Sequence, residues 1–274
     1  MPTYDRYITR GEYRLYFRHT LIDQQAPTYV LLHGWSGNNT AFVPLERQLN
    51  ERGINTVIPD LRGHGLSTKI RRRKDYRYPE FVLDVKLLLQ TVQPLAPDSP
   101  IILLGYSAGG TIALMHELVN PGVATQIILV SANHENPLKY WHIGWFTPVG
   151  RALLLTLAKL ARFERRKHYQ QMDLVKIHGY WGSVFEGLHS MPVDVNLWLL
   201  STYADLALKD LSRVTCPTII LRGENDHFFT AREAQNLQAK ISSSQLVTVP
   251  NCGHYLVTHH EEDLRKHLDN LVNF

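Results

Sequence analysis

The stretch GYSAGG at residues 105–110 sets one serine hydroxyl between two glycines, Gly105 and Gly109, in the spacing G-x-S-x-G. A hydroxyl so placed can act as a nucleophile when its turn is too tight for flanking side chains, a condition that glycine at both positions meets. The neighbouring residues identify the turn. Residues 101–105 form a short apolar run of strand length, and 108–120 read as a helix, so Ser107 stands where strand passes into helix. The helix N-terminus behind it favours developing negative charge. The alternative is a tight turn without chemistry.

Such a serine has to be held by a sheet. Runs rich in Val, Ile and Leu recur at 29–33, 56–59, 126–131, 218–222 and 246–250, without polar alternation, as expected of strands buried on both faces of a parallel sheet. Helical segments lie between them at 41–52, 78–93, 108–120, 231–240 and 261–274. The pattern predicts an α/β fold with a mostly parallel, doubly wound sheet of about eight strands. Residues 4–9 and 12–19 are expected to add an antiparallel hairpin at its edge, since their connection is too short for a parallel crossover. The alternation breaks over 134–210, where helices are expected at 149–166, 168–185 and 194–207. This insertion after the sixth strand is expected to be a helical lid over the carboxyl ends of the strands, where open α/β sheets bind ligands. The chain would then divide into a core of 1–133 and 211–274 and a cap of 134–210. Trp145, Trp181 and Trp198 of the insertion, with Tyr106 beside the serine, are the expected substrate-pocket residues, although such aromatics also fill cores.

Composition narrows the classes. Of 274 residues, 44% are hydrophobic and 20% charged, enough for a large buried core. The net charge of +4 is scattered apart from two basic runs, 69–77 and 162–167, and neither lies in a nucleic-acid motif. The runs read as solvated loop faces or as surfaces that attract anionic ligands or lipid headgroups. Two cysteines, Cys216 and Cys252, do not make a disulfide framework. The N-terminus lacks the apolar core of a signal peptide, and the most apolar segment, 149–161, is short and interrupted by Arg151 and Lys159. A cytoplasmic protein without a stable membrane span or a nucleic-acid partner is expected. Lipid-surface contact stays open through 151–166, where Leu153, Leu154, Leu157 and Leu160 lie beside Lys159 and Arg162. There is no H-E-x-x-H, no phosphate loop and no dinucleotide fingerprint, so neither metal nor cofactor is expected. Oligomeric state is not legible.

Five motifs, LLHGWSGN (31–38), DLRGHGLS (60–67), GYSAGG (105–110), LRGENDHF (221–228) and NCGHYLV (251–257), together resemble the α/β-hydrolase family in order and strand-end position over nearly the whole chain. The resemblance implies a triad in the chain order serine, acid, histidine. Ser107 is then the nucleophile, Asp226 the acid, with Glu224 its nearest competitor, and His254 the base, with His227, His259 and His260 as rivals. It further implies an oxyanion hole of backbone N–H groups from Ala108 and Trp35, with Ser36 the alternative to Trp35, and loop-bracing roles for His33, Arg62 and His64. The implied activity is cleavage of a small-molecule carboxylic ester through an acyl-enzyme, as in carboxylesterases and lipase-like enzymes. Lactonase, amidase, carbon–carbon bond hydrolase, perhydrolase and acyltransferase chemistry use the same serine. A non-catalytic ligand-binding module on the same scaffold is the alternative from another class.

Overall fold

The computed structural model of the protein describes residues 3–139, 147–163 and 189–271. The apolar runs become strands because their side chains alternate between two buried layers. Val30, Leu32, Leu103, Ile127, Leu129 and Ile220 enter one layer, whereas Tyr29, Leu31, Ile102, Leu104, Ile128 and Leu221 enter the other. Among the described residues eight strands result: β1 Tyr4–Arg10, β2 Tyr13–Thr20, β3 Thr28–Leu32, β4 Asn55–Pro59, β5 Ile101–Tyr106, β6 Gln126–Val130, β7 Thr218–Gly223 and β8 Ser244–Val249. They form one sheet in the order β1-β2-β4-β3-β5-β6-β7-β8. The β1/β2 and β2/β4 pairs are antiparallel and all the others parallel, so the hairpin sits at the edge as its short connection requires. β8 begins two residues earlier than its apolar run, because polar Ser244 and Gln245 still pair with Thr218 and Ile219.

Among the described residues the α-helices are α1 Val43–Glu51, α2 Tyr78–Val92, α3 Ala108–Val119, α4 Thr147–Ala161, α5 Val193–Tyr203, α6 Ala231–Lys240, the single turn α7 Leu256–His259, and α8 Glu261–Leu271. α1 starts later than its pattern because a 3₁₀ turn, Asn39–Phe42, precedes it, capped by Asn38, whose side chain accepts the Thr40 N–H. The connections from β3 leave toward opposite sides of the sheet, to β4 on one side and ultimately β5 on the other. The carboxyl ends of β3 and β5 therefore border a crevice at the topological switch point.

Between β6 and β7 lie α4 and α5, while the helix expected over 168–185 lies outside the described residues. Arg71, from the first basic run, ties both helices to the core: Nε donates to the Asp194 carboxylate at 2.9 and 3.0 Å, and a terminal nitrogen donates to the Ala161 carbonyl at 2.9 Å. α5 stops at Tyr203 instead of 207 because the next residues turn into a bridge that pairs Ala207 with Glu135. Val149, Leu153 and Leu160 on α4 are exposed. Among the described residues no helix is long and apolar enough to cross a membrane, and both cysteines are free and buried.

Candidate active site

β5 hands the chain to α3 at Ser107, whose φ of 51° and ψ of −118° lie outside the regions that a side-chain-bearing residue ordinarily adopts. The turn is held from both sides. The Ser107 N–H donates to the Val130 carbonyl at 2.8 Å, and the Ser107 carbonyl accepts the Gly110 N–H at 3.0 Å. A Cβ at Gly109 would run into the Leu32 carbonyl, and one at Gly105 into the backbone of Gly110. The glycine spacing is thus imposed by the close approach of α3 to β3 and β5.

Two loops at neighbouring strand ends reach toward this hydroxyl. After β7, the loop carries Asp226, whose side chain is fully buried and whose Oδ1 accepts the backbone N–H groups of Phe228 at 2.8 Å and Phe229 at 2.9 Å. After β8, the loop carries His254. Its Nδ1–H donates to Asp226 Oδ2 at 3.0 Å and Oδ1 at 3.1 Å, which leaves Nε2 facing Ser107 Oγ at 3.2 Å. The imidazole lies among the rings of Tyr106, Phe228 and Tyr255, with centroids 5.5, 5.2 and 5.9 Å away. Burial pushes the Asp226 carboxyl up, but the charge and hydrogen bond of His254, with the Phe229 N–H and Ser131, outweigh it and leave the carboxyl below its ordinary value. The rivals lie elsewhere: Glu224 is exposed and accepts the Asn251 N–H, His227 is exposed, and His260 faces Asp263. His259 lies beside Thr258.

The loop after β3 completes the surroundings. His33 is buried and ordered by two bonds, Nδ1–H to the Gly34 carbonyl at 2.8 Å and Nε2 from the Leu61 N–H at 2.9 Å. Gly34 lies so close to Ser107 that a Cβ on it would come within 3.2 Å of the serine Cβ. Trp35 and Ala108 line one narrow slot of about 20 Å³, walled by Ile112, Leu199, Tyr78 and Tyr203. The Ala108 N–H belongs to the first turn of α3, where no intrahelical acceptor exists. Arg62 and His64 brace their loop: Arg62 makes two 2.7 Å bonds to the Asp84 carboxylate, and His64 Nδ1–H donates to the Arg62 carbonyl at 2.9 Å. Burial lowers the His64 imidazole well below its ordinary range.

Two of the four expected pocket residues fall among the described residues. Trp145 and Trp181 lie outside the described residues. Trp198 faces a second cavity and stacks on Tyr76, and Tyr106 is buried beneath the His254 ring instead of lining the slot. Tyr203 is the residue that sequence reading missed. It lines the slot, and burial pushes its phenol up to about 12, opposed by interaction with the Ser107 and Tyr78 hydroxyls. No local spacing signals it, because it meets Ser107 only through the packing of α5.

A profile of the alpha/beta hydrolase family matches residues 29–266. The sn-1-specific diacylglycerol lipase ABHD11 of Mus musculus is 25% identical over 268 residues, covering 93% of this chain and 84% of that protein. The pimeloyl-(acyl-carrier protein) methyl ester esterase of Nitrosospira multiformis is 23% identical over 260 residues, covering 91% of this chain and 95% of that protein. A thermophilic esterase from Thermogutta terrifontis superposes with a TM-score of 0.75 at 19% identity, covering 98% of this chain and 97% of its own.

Proposed function

The chain belongs to the alpha/beta hydrolase family, and we propose that it is a serine hydrolase that cleaves a carboxylic ester through an acyl-enzyme on Ser107. The observation that carries this reading is the line from Ser107 Oγ to His254 Nε2 at 3.2 Å and from His254 Nδ1 to Asp226 at 3.0 Å, set on a strained strand-to-helix turn. Ser107 Oγ attacks the ester carbonyl carbon as its proton passes to His254 Nε2. The resulting oxyanion is received by the Ala108 and Trp35 backbone N–H groups. Collapse of the tetrahedral species expels the alcohol, which takes its proton from His254. Water then attacks the acyl carbon with His254 again as base, releasing the acid and restoring Ser107. Asp226 fixes the imidazole tautomer and stabilises its protonated form.

In this reading residues 134–210 form the cap over a core of 1–133 and 211–274. Leu199, Thr202 and Tyr203 contribute the cap's side of the slot. A slot of about 20 Å³ has room for little more than a water-sized group before it must open, which favours short acyl chains. A panel of p-nitrophenyl esters of increasing acyl length tests both points. Turnover should be greatest for the shortest acyl groups, and Ser107→Ala should lower it by several orders of magnitude. Near-normal turnover by the alanine variant would overturn the mechanism.

A further inference from the structure

The first basic run, 69–77, does not behave as a uniform solvated face. Lys69 Nζ donates to the Ser67 carbonyl, Arg71 is taken up by Asp194 and Ala161, and Arg72 pairs with Asp75 at 2.7 Å and Glu12 at 2.6 Å. Arg73 and Arg77 have no carboxylate partner among the described residues, and both line a cavity of about 340 Å³. A third arginine, Arg151 of α4, lines it too and among the described residues makes one ion pair, at 2.9 Å to the exposed Asp205, while its buried Nε has no hydrogen-bond partner there. Three cations against one carboxylate leave the cavity lining with a surplus of two positive charges.

The rest of the wall is mainly apolar, formed chiefly by Tyr76, Tyr78, Met115, Trp198, Leu206 and Leu208, with Ser201 and Thr202 among them. The first turn of α2 contributes Tyr78 and Pro79, and the residue before it, Arg77, makes no side-chain cap, so the positive end of the helix dipole also faces this space. A cavity of this volume is of ligand size. It adjoins the slot beside Ser107, because Tyr78 and Thr202 line both.

We propose that this cavity binds an amphipathic oxyanion, a carboxylate or phosphate carried on an apolar body. Arg73, Arg77 and Arg151 receive the anionic group, since guanidinium matches either headgroup geometrically. Trp198, Tyr76 and Met115 receive the apolar body. If Ser107 cleaves esters as proposed above, the occupant is the acidic end of the substrate or product, reached past Tyr78 and Thr202. Binding itself does not depend on turnover.

Isothermal titration of the whole protein tests this with 4-phenylbutyrate, phenyl phosphate, the neutral 4-phenylbutanamide and inorganic phosphate. One or both amphipathic anions should bind at least about tenfold more tightly than the amide, and the tighter of the two names the headgroup. The double variant Arg73→Gln/Arg77→Gln should erase that preference, and Arg151→Gln, on a different element, should weaken it. Lys74→Gln, an exposed charge in the same run that does not line the cavity, should leave it intact. Equal affinity for acid and amide, or a preference that survives in the double variant, overturns the proposal. Inorganic phosphate binding as tightly as the amphipathic anions overturns its apolar half. Because titration reads binding alone, a protein that binds these anions yet fails to cleave esters would refute the hydrolase reading and leave this one standing.

Discussion

With Nδ1–H committed to Asp226, His254 offers only Nε2 to the serine. In the proposed mechanism the carboxylate chooses the tautomer, held ready by the Phe228 and Phe229 N–H groups. Asp226→Asn would keep the shape but present an amide that can hold the ring in the wrong tautomer. In the proposed mechanism this should lower kcat by about 10³–10⁴-fold while leaving KM for a small ester nearly unchanged, as steady-state kinetics on the purified variant would read. An equal loss in binding and turnover would mean that the variant's loop had collapsed. Ser107, Asp226 and His254 each follow a strand within a few residues, so the strand ends legible in the sequence bring them to one edge of the sheet, while the preference for Asp226 over Glu224 and for His254 over His227, His259 and His260 came from the family resemblance. Tyr203 and the slot were not legible, since they depend on how α5 packs, and side-chain contacts between distant elements leave no spacing to read.

The strands were legible because burial on both faces writes them as continuous apolar runs, and the α3 start was written by glycines that only close packing explains. The insertion was less so. α5 starts after Pro192 and ends where Ala207 is drawn to Glu135, a contact between elements far apart in sequence. Among the described residues Arg71 ties the insertion to the first basic run, and the side chain of its partner Asp194 is fully buried. Arg71→Ala would leave that carboxylate without its counter-charge, an expected cost of about 3 kcal/mol given that removing one partner of a buried pair strands the other. Hydrogen exchange should show faster opening across 193–203 than across β5, and an unchanged exchange pattern would remove Arg71 from its tying role.

At the scale of the whole molecule, burial sets the response to acid. His19, His33, His64, His116 and His134 are all lowered from 6.5 by burial, His116 and His134 to about 4. Each binds its proton more readily unfolded than folded, so the stability it contributes is complete above about pH 6.5 and is lost as pH falls, for His116 and His134 toward about 4. Glu233 runs the other way: burial raises it from 4.5 to about 8, so the stability it contributes is complete below about pH 4.5 and is lost progressively as pH rises from there to 8. Because Glu233 opposes the histidines between pH 4.5 and 8, Glu233→Gln isolates them in thermal melts: its Tm should fall below pH 6.5, and relative to it the wild-type Tm should decline as pH rises from 4.5 to 8. A Tm of the Glu233→Gln variant that is flat from pH 7 to 4.5 would contradict the assignment of these histidines as buried and neutral.

The central claim, a nucleophilic serine activated in the folded protein, is tested most directly by covalent capture. Wild-type protein treated with a fluorophosphonate probe should gain one adduct by intact mass, peptide mapping should place it on Ser107, and His254→Ala should form it far more slowly. Labelling at another residue, or labelling of Ser107→Ala at the wild-type rate, would contradict the account.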